Sequence, residues 1–239
     1  MPEVKVSPDA DSLARAVASA LVARLAAVQD EGRVPSLALT GGTIADAIYR
    51  EVALLPPTGL DWTKVDFWWG DERYVPADSG DRLDKAVGRD LLDVVGVDPA
   101  RVHAVPAADE VPADVTEAAA AYGREVREHG GGEFDLVLLG LGPDGHVASL
   151  FPGFAQLEVL DEIAVPVTGS PKPPPERVSL TFSALNRTRE VWFLVSGDGK
   201  ADAVARALAE TGSVIETPAR GITVANATWW LDSPAASRL

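Results

Sequence analysis

Apolar positions along the chain alternate between helical spacing and short continuous runs. From Ser7 to Asp30, Leu13, Val17, Leu21, Leu25 and Val28 recur on one face. This predicts an amphipathic helix with Ser7 as N-cap and Pro8 at the first helical position. Ser36 to Thr40 is an apolar run between Pro35 and Gly41, which predicts a buried strand. Helical spacing returns from Thr43 to Leu55 and stops at Pro56. Val65 to Trp69 reads as the next strand, followed by a polar loop through Asp84 and a helix from about Lys85 to Val95. Val102 to Val105 reads as a short strand, Val115 to His129 as a helix, and Phe134 to Leu139 as the most apolar strand. Ile163 to Val167, Val178 to Phe182 and Val191 to Val195 are further strands; Lys200 to Glu210 is a helix and Ile222 to Ala225 a last strand. Trp229 and Trp230 read as packing residues.

Strands alternating with helices predict right-handed crossovers and an α/β fold around a mostly parallel sheet covered on both faces. Ligands in such sheets bind beyond the carboxyl ends of the strands. That singles out four loops: Thr40 to Thr43, Gly70 to Arg73, Gly140 to His146, and Ser196 to Lys200. Gly169 to Glu176, with four prolines, reads as a rigid loop within a single domain covering residues 1–239.

Each loop has a chemical and a plain reading. Gly41, Gly42 and Thr43 stand between a strand and a helix, where backbone N–H groups and a hydroxyl suit a phosphate; the same residues also make an ordinary tight turn with Thr43 as a cap. Gly140-Leu-Gly-Pro-Asp-Gly145 has the spacing of a dinucleotide turn. Pro143 removes a donor from it, however, and Pro152 leaves too little chain for the crossover helix. Its better content is Asp144 and His146, a carboxylate and an imidazole able to act as orienting group and base, or else a turn aspartate with a capping histidine. Asp71, Glu72 and Arg73 deliver charge to the same rim, with Arg73 facing an anion and held by Asp71, or simply solvated. Lys172, Arg177 and Lys200 are candidate anion contacts; a lysine at a helix start is unfavourable unless an anion is near.

Composition narrows the classes. Of 239 residues, 46% are apolar and 24% charged, an ordinary globular balance. Lys and Arg number 21 against 36 Asp and Glu, a net charge of −15, which repels nucleic acids and anionic membranes and makes each well-placed cation informative. The absence of cysteine excludes disulfides, thiolate metal sites and cysteine nucleophiles. Neither a signal pattern at Met1 to Lys5 nor an apolar stretch of about 18 residues is present, which points to the cytoplasm. There is no G-x-S-x-G elbow, no phosphate loop of the Walker type, and no metal-spaced pair among His103, His129 and His146.

Taken together, Leu39-Thr-Gly-Gly-Thr43, Trp69-Gly-Asp-Glu-Arg-Tyr-Val-Pro76, Gly140 to Gly153, Ser170-Pro-Lys-Pro-Pro-Pro-Glu-Arg177, Val178-Ser-Leu-Thr181 and Gly199-Lys200 resemble the 6-phosphogluconolactonase family, in family order and over nearly the whole chain. The resemblance implies a three-layer, Rossmann-like sandwich shared with glucosamine-6-phosphate deaminase and ribose-5-phosphate isomerase. It implies hydrolysis of 6-phospho-D-glucono-1,5-lactone, with no metal or organic cofactor. It makes His146 the base that activates water, and Asp144 and Asp71 the groups that shape the centre. Arg73 would lie near lactone or phosphate, and Gly41, Gly42, Thr43, Arg177 and Lys200 would hold the phosphate. The implied partner is a small sugar phosphate, bound by a monomer or small homo-oligomer. Two positions depart from the pattern: Leu83, where relatives often carry Asn, and Phe154, where many carry His. A deaminase is the nearest rival, but its usual acidic residue is replaced in Ala148-Ser-Leu-Phe-Pro152. A non-catalytic sugar-phosphate sensor is the rival from another class, disfavoured by only about six residues ahead of the first helix and by the net charge.

Overall fold

The computed structural model describes residues 2–56, 59–110 and 114–239. Six strands form one sheet: β1 (Glu3–Ser7), β2 (Ser36–Leu39), β3 (Asp66–Trp69), β5 (Phe134–Gly140), β8 (Thr188–Val195) and β9 (Ala227–Asp232). Their order is β1-β9-β8-β5-β2-β3 and every neighbouring pair is parallel. Near-continuous apolar runs explain this, because a parallel strand covered on both faces has no polar side to show; all six residues from Phe134 to Leu139 are buried. Helices α1 (Ala10–Asp30) and α2 (Thr43–Leu54) pack side by side. The helical stretch from Leu83 to Val95 consists of α3 (Leu83–Val87), a wider π-type turn (Gly88–Leu92) and α4 (Asp93–Val95).

Three more strands, β4 (Asp71–Arg73), β6 (Ala164–Val167) and β7 (Arg177–Leu180), form a separate antiparallel sheet in the order β4-β7-β6. Helix α5 (Val115–His129) packs on β6 and β7. Two short elements, α6 (Phe182–Leu185) and α7 (Ala201–Leu208), complete the order.

Several expectations need correction. Asp9, not Ser7, caps α1, its carboxylate accepting from Ser12 N at 2.7 Å, because Ser7 is taken up by β1, an edge strand with no apolar run to announce it. Asp71 to Arg73 is a strand rather than a loop. Val102 makes only an isolated bridge with Phe67. The last strand is Ala227–Asp232, not Ile222 to Ala225, so Trp229 and Trp230 are buried by sheet pairing.

Two tyrosines finish the strands that lead into the functional rim. At a strand's carboxyl end the ladder stops and backbone groups need other partners. Tyr49, on α2, donates its hydroxyl to Thr40 O at 2.8 Å and accepts from Thr40 N at 3.3 Å. Tyr122, on α5, does the same at Trp69, at 2.9 and 2.7 Å. Both phenols are fully buried, and burial pushes their pKa up. The chain therefore leaves β2 and β3 in fixed directions.

Candidate active site

Strand order reverses between β2 and β5: from β2 the chain goes on to β3 on one side, while β5 lies on the other and leads outward to β8. This is the crevice where α/β sheets bind ligands. Gly140 N donates to Thr40 Oγ1 at 3.4 Å and joins the two strand ends. Above them opens a cavity of about 680 Å³.

On the β2 side, Gly42 at φ 119° precedes α2, whose first-turn N–H groups have no helical acceptors. Gly41, Gly42, Thr43 and Ile44 line the cavity. Leu83 packs over Gly41 so closely that a Cβ there would lie 2.1 Å from Leu83 Cδ2.

On the β5 side the chain turns without forming a helix. Gly142 N donates to His146 O at 2.9 Å, and Gly145 N to Gly142 O at 2.9 Å. The dinucleotide reading is thus absent. The turn folds Asp144 and His146 together: His146 Nδ1 lies 2.5 Å from Asp144 Oδ1. A Cβ on residue 142 would come within 2.0 Å of His146 Nδ1 and 2.3 Å of Asp144 Oδ1, so the pair exists in the space a side chain would fill. Burial raises the Asp144 carboxyl, but the hydrogen bond and charge of His146 outweigh it and hold it at about 2. An ionised Asp144 fixes the imidazole proton on Nδ1 and makes Nε2 the acceptor, which Lys172 Nζ approaches at 3.4 Å. The imidazole is further braced by Phe151, its ring centroid 4.6 Å away; Phe154 packs on Phe151 at 5.6 Å and does not line the cavity.

The antiparallel sheet supplies the opposite wall. Strand alternation sends Asp71 and Arg73 one way and Glu72 the other. Asp71 is buried and accepts from Ser149 Oγ at 2.5 Å, with Arg177 Nη1 at 3.8 Å. The expected tie between Asp71 and Arg73 is therefore replaced: Arg73 Nη1 donates to Asp81 O at 3.1 Å. Glu72 is wholly buried and accepts from the backbone N–H groups of Arg73, Leu83 and Asp84 at 2.7, 2.8 and 2.9 Å. Burial pushes its pKa up to about 7 against these bonds and the nearby Arg82. Glu72 thereby fastens Leu83 over the glycine turn.

Four cations face the cavity: Arg73, Lys172, Arg177 and Lys200. Lys200 closes a 3₁₀ turn (Asp198–Lys200) ahead of α7, and its Nζ donates to Leu141 O. Burial, then the charge of Lys172, lowers its pKa. Lys172 Nζ lies 3.4 Å from His146 Nε2. Arg177 is buried, donating from Nε to Pro174 O at 3.2 Å and from Nη2 to the carbonyls of Lys172 and Pro173 at 3.1 and 3.2 Å.

Of the nine residues that the family resemblance places at the site, Gly41, Gly42, Thr43, Asp71, Arg73, His146, Arg177 and Lys200 line the cavity, and Asp144 stands behind His146; Lys172, the further candidate anion contact, lines it too. Ser149, which holds Asp71, carries no signal in the sequence; only the fold brings residues 78 positions apart into contact. Among the described residues, no group of three or more His, Asp or Glu is placed to hold a metal ion, and no helix is long and apolar enough to cross a membrane.

Residues 8–230 match the family of glucosamine-6-phosphate isomerases and 6-phosphogluconolactonase. The chain belongs to that family. It is 41% identical to a 6-phosphogluconolactonase of Streptomyces coelicolor, over all of this chain and 95% of the relative. As a member of the glucosamine-6-phosphate isomerase/6-phosphogluconolactonase family it also shares its fold with a 6-phosphogluconolactonase from Trypanosoma cruzi. That match has a TM-score of 0.85 at 25% identity, covering 100% of this chain and 97% of the other. A monomeric glucosamine-6-phosphate deaminase, 20% identical, superposes with a TM-score of 0.84 over 99% of this chain and 100% of the other, a likeness of fold alone.

Proposed function

We propose that this chain is a hydrolase that opens 6-phospho-D-glucono-1,5-lactone to 6-phosphogluconate in the pentose phosphate pathway. The carrying observation is the Asp144–His146 pair at the sheet's switch point, with Nε2 turned to a cavity edged by cations. The relative that is 41% identical over all of this chain and 95% of its own length supports the reading. His146 Nε2 takes a proton from water as the oxygen adds to C1 of the lactone. The tetrahedral oxyanion collapses, the bond from C1 to the ring oxygen breaks, and the proton on Nε2 passes to that oxygen. Asp144 keeps the imidazole in the required tautomer. The α2 N-terminus with Gly41, Gly42 and Thr43, together with Lys200, holds the phosphate; Arg73 faces the same space. Anchoring the remote phosphate orients the carbonyl. The chain works as one domain in the cytoplasm, as a monomer or small homo-oligomer.

The test is hydrolysis of freshly made lactone, with 6-phosphogluconate read through a coupled dehydrogenase and the spontaneous rate subtracted. His146→Ala is expected to lower turnover by about 10²- to 10⁴-fold while 6-phosphogluconate still binds. Near-normal turnover in that variant removes His146 as base; background hydrolysis by the folded parent protein removes the activity.

A further inference from the structure

The turn that carries the base is gripped from outside the cavity. Gly145 is the single residue between Asp144 and His146, so the placement of its backbone sets how carboxylate and imidazole meet. Its N–H is spent inside the turn on Gly142 O, and its carbonyl accepts from Ala219 N at 2.9 Å. Its α-carbon, at φ 92°, lies against Thr217: a Cβ on residue 145 would come within 2.9 Å of Thr217 Cγ2 and 3.1 Å of Thr217 Cα. Just ahead of Asp144, Pro143 O accepts from Arg206 Nη2 on α7 at 2.9 Å. Past the imidazole, Gly153 N donates to Ile215 O at 2.9 Å, two residues after Phe151, whose ring braces His146. The segment from Ser213 to the 3₁₀ turn Pro218–Gly221 thus holds the chain on both sides of the base while standing outside the cavity lining. It is itself well fixed. Thr217, Pro218 and Ala219 are buried, Thr217 N donates to Ser213 O at 2.9 Å, and Arg220 N donates to Thr217 O at 3.0 Å. Arg220 Nη1 donates to the carbonyls of Arg206 and Ala209 at 2.9 and 2.8 Å, which ties the segment to the end of α7.

We propose that Thr217 is a positioning residue for the hydrolysis: its methyl group fills the space beside Gly145 and keeps the turn from drifting, so that Asp144 and His146 stay aligned with each other and with the cavity. This rests on the hydrolase reading of the same site. The physical reason lies in the turn. Gly142 and Gly145 bring the backbone freedom of glycine to it. Its own hydrogen bonds, from Gly142 N to His146 O and from Gly145 N to Gly142 O, stay within residues 142–146. They set its curvature and leave its position to outside contacts. On the outer side, Thr217 is the buried side chain that reaches the residue between acid and base. Arg206 is exposed, so its bond to Pro143 O competes with water and contributes less. The bond from Ala219 N is a backbone contact of the same segment. A displacement of about 1 Å at a reacting group costs up to about 10²-fold in rate. Thr217 touches the turn and not the cavity, so the loss falls on kcat rather than on KM.

The experiment measures kcat and KM for Thr217→Ala, Thr217→Ser and Thr217→Val, with Tm by calorimetry and the His146 Nδ1 proton by NMR on each. Thr217→Ala is expected to lower kcat by about tenfold with KM within about twofold. Thr217→Val restores Cγ2 and should recover most of the loss; Thr217→Ser keeps only the hydroxyl and should not. The Nδ1 proton, deshielded in the parent by its bond to Asp144, should broaden in Thr217→Ala and Thr217→Ser and sharpen again in Thr217→Val. Plain loss of stability is separated by Val28→Ala, a buried change on α1 away from the cavity, which should lower Tm while kcat stays at the parent value. Recovery in Thr217→Ser but not in Thr217→Val would give the role to the hydroxyl and overturn the proposal. An unchanged kcat in Thr217→Ala, or a raised KM with kcat preserved, would overturn it too. If Thr217→Ala does not fold, Thr217→Ser against Thr217→Val makes the same comparison. If the parent protein only matches the spontaneous rate, the hydrolase reading fails. The Nδ1 proton then decides alone: a signal that follows the methyl group agrees with Thr217 placing the pair, and one indifferent to all three substitutions contradicts it.

Discussion

The two sheets of this protein hold functional residues by opposite means. The parallel sheet contributes backbone: its central strands β2 and β5 are mostly apolar and buried, and its site residues stand on turns that begin where these two strands end. Hydrophobic burial fixes the strands, two tyrosine hydroxyls finish them, and short glycine turns then place Thr43, Asp144 and His146. The antiparallel sheet contributes buried side chains. Asp71, Glu72 and Arg177 lie within its strands and are 7%, 0% and 5% exposed, so here polar contacts are part of the fold itself. Burying such groups is tolerable only while each keeps its partners. The parallel half should therefore lose chemistry before stability when altered, and the antiparallel half the reverse.

Glu72→Ala would give the strongest contrast. Removing that carboxylate strands one buried and two part-buried N–H groups, each costing about 1–3 kcal/mol where water cannot replace the bond. A total of about 3 kcal/mol or more corresponds, for a chain of this size, to a drop in Tm of roughly 10 °C. Calorimetry showing an unchanged Tm would mean that the small sheet does not depend on its buried charge. On the other side, Gly142→Ala should leave Tm within a few degrees and lower kcat by about 10²-fold, because the new Cβ drives the Asp144–His146 pair out of place. Wild-type turnover in that variant would show that the pair's geometry does not limit the reaction.

The smallest effect concerns acid. The Asp144 carboxyl sits at about 2 in the folded chain against an ordinary 3.8. A depressed value means that the carboxylate favours folding above the ordinary value and that this contribution fades as pH falls from about 4 to about 2. With the side chain 37% exposed, solvent screens the pair and the contribution is modest. Comparing denaturant midpoints across that window, Asp144→Asn should show a shallower decline than the parent. Parallel curves would mean that the His146 contact adds nothing to stability. Glu72 has the opposite sign: its raised value makes stability fall as pH rises from about 4.5 to about 7.

Much of the parallel half was legible from residue order. Runs such as Phe134 to Leu139 announce buried strands, and the switch-point rule then points to the loops after Leu39 and Gly140 without any side-chain geometry. The edge strand β1 was not legible, because Glu3, Val4, Lys5, Val6 and Ser7 are mostly exposed and show neither an apolar run nor helical spacing. Nor was β4, where three charged residues in a row look like a solvated loop. Asp71 and Glu72 are buried there because Ser149, 78 positions away, donates to Asp71 and the backbone of Leu83, 11 positions on, donates to Glu72.

Sequence alone determined the alternation of strands and helices, the rim where chemistry could collect, and, through motif resemblance, the kind of protein to expect. Those are properties of local periodicity and short motifs, which neighbouring residues set among themselves. Tertiary structure alone decided that Asp71 pairs with Arg177 and Ser149 instead of Arg73, that Arg177 clamps the loop carrying Lys172, and that Lys172 meets His146. These contacts join residues 26 or more positions apart in three of the four cases. Such pairings depend on which strands become neighbours, and that is settled by packing of the whole core rather than by any segment's own preference.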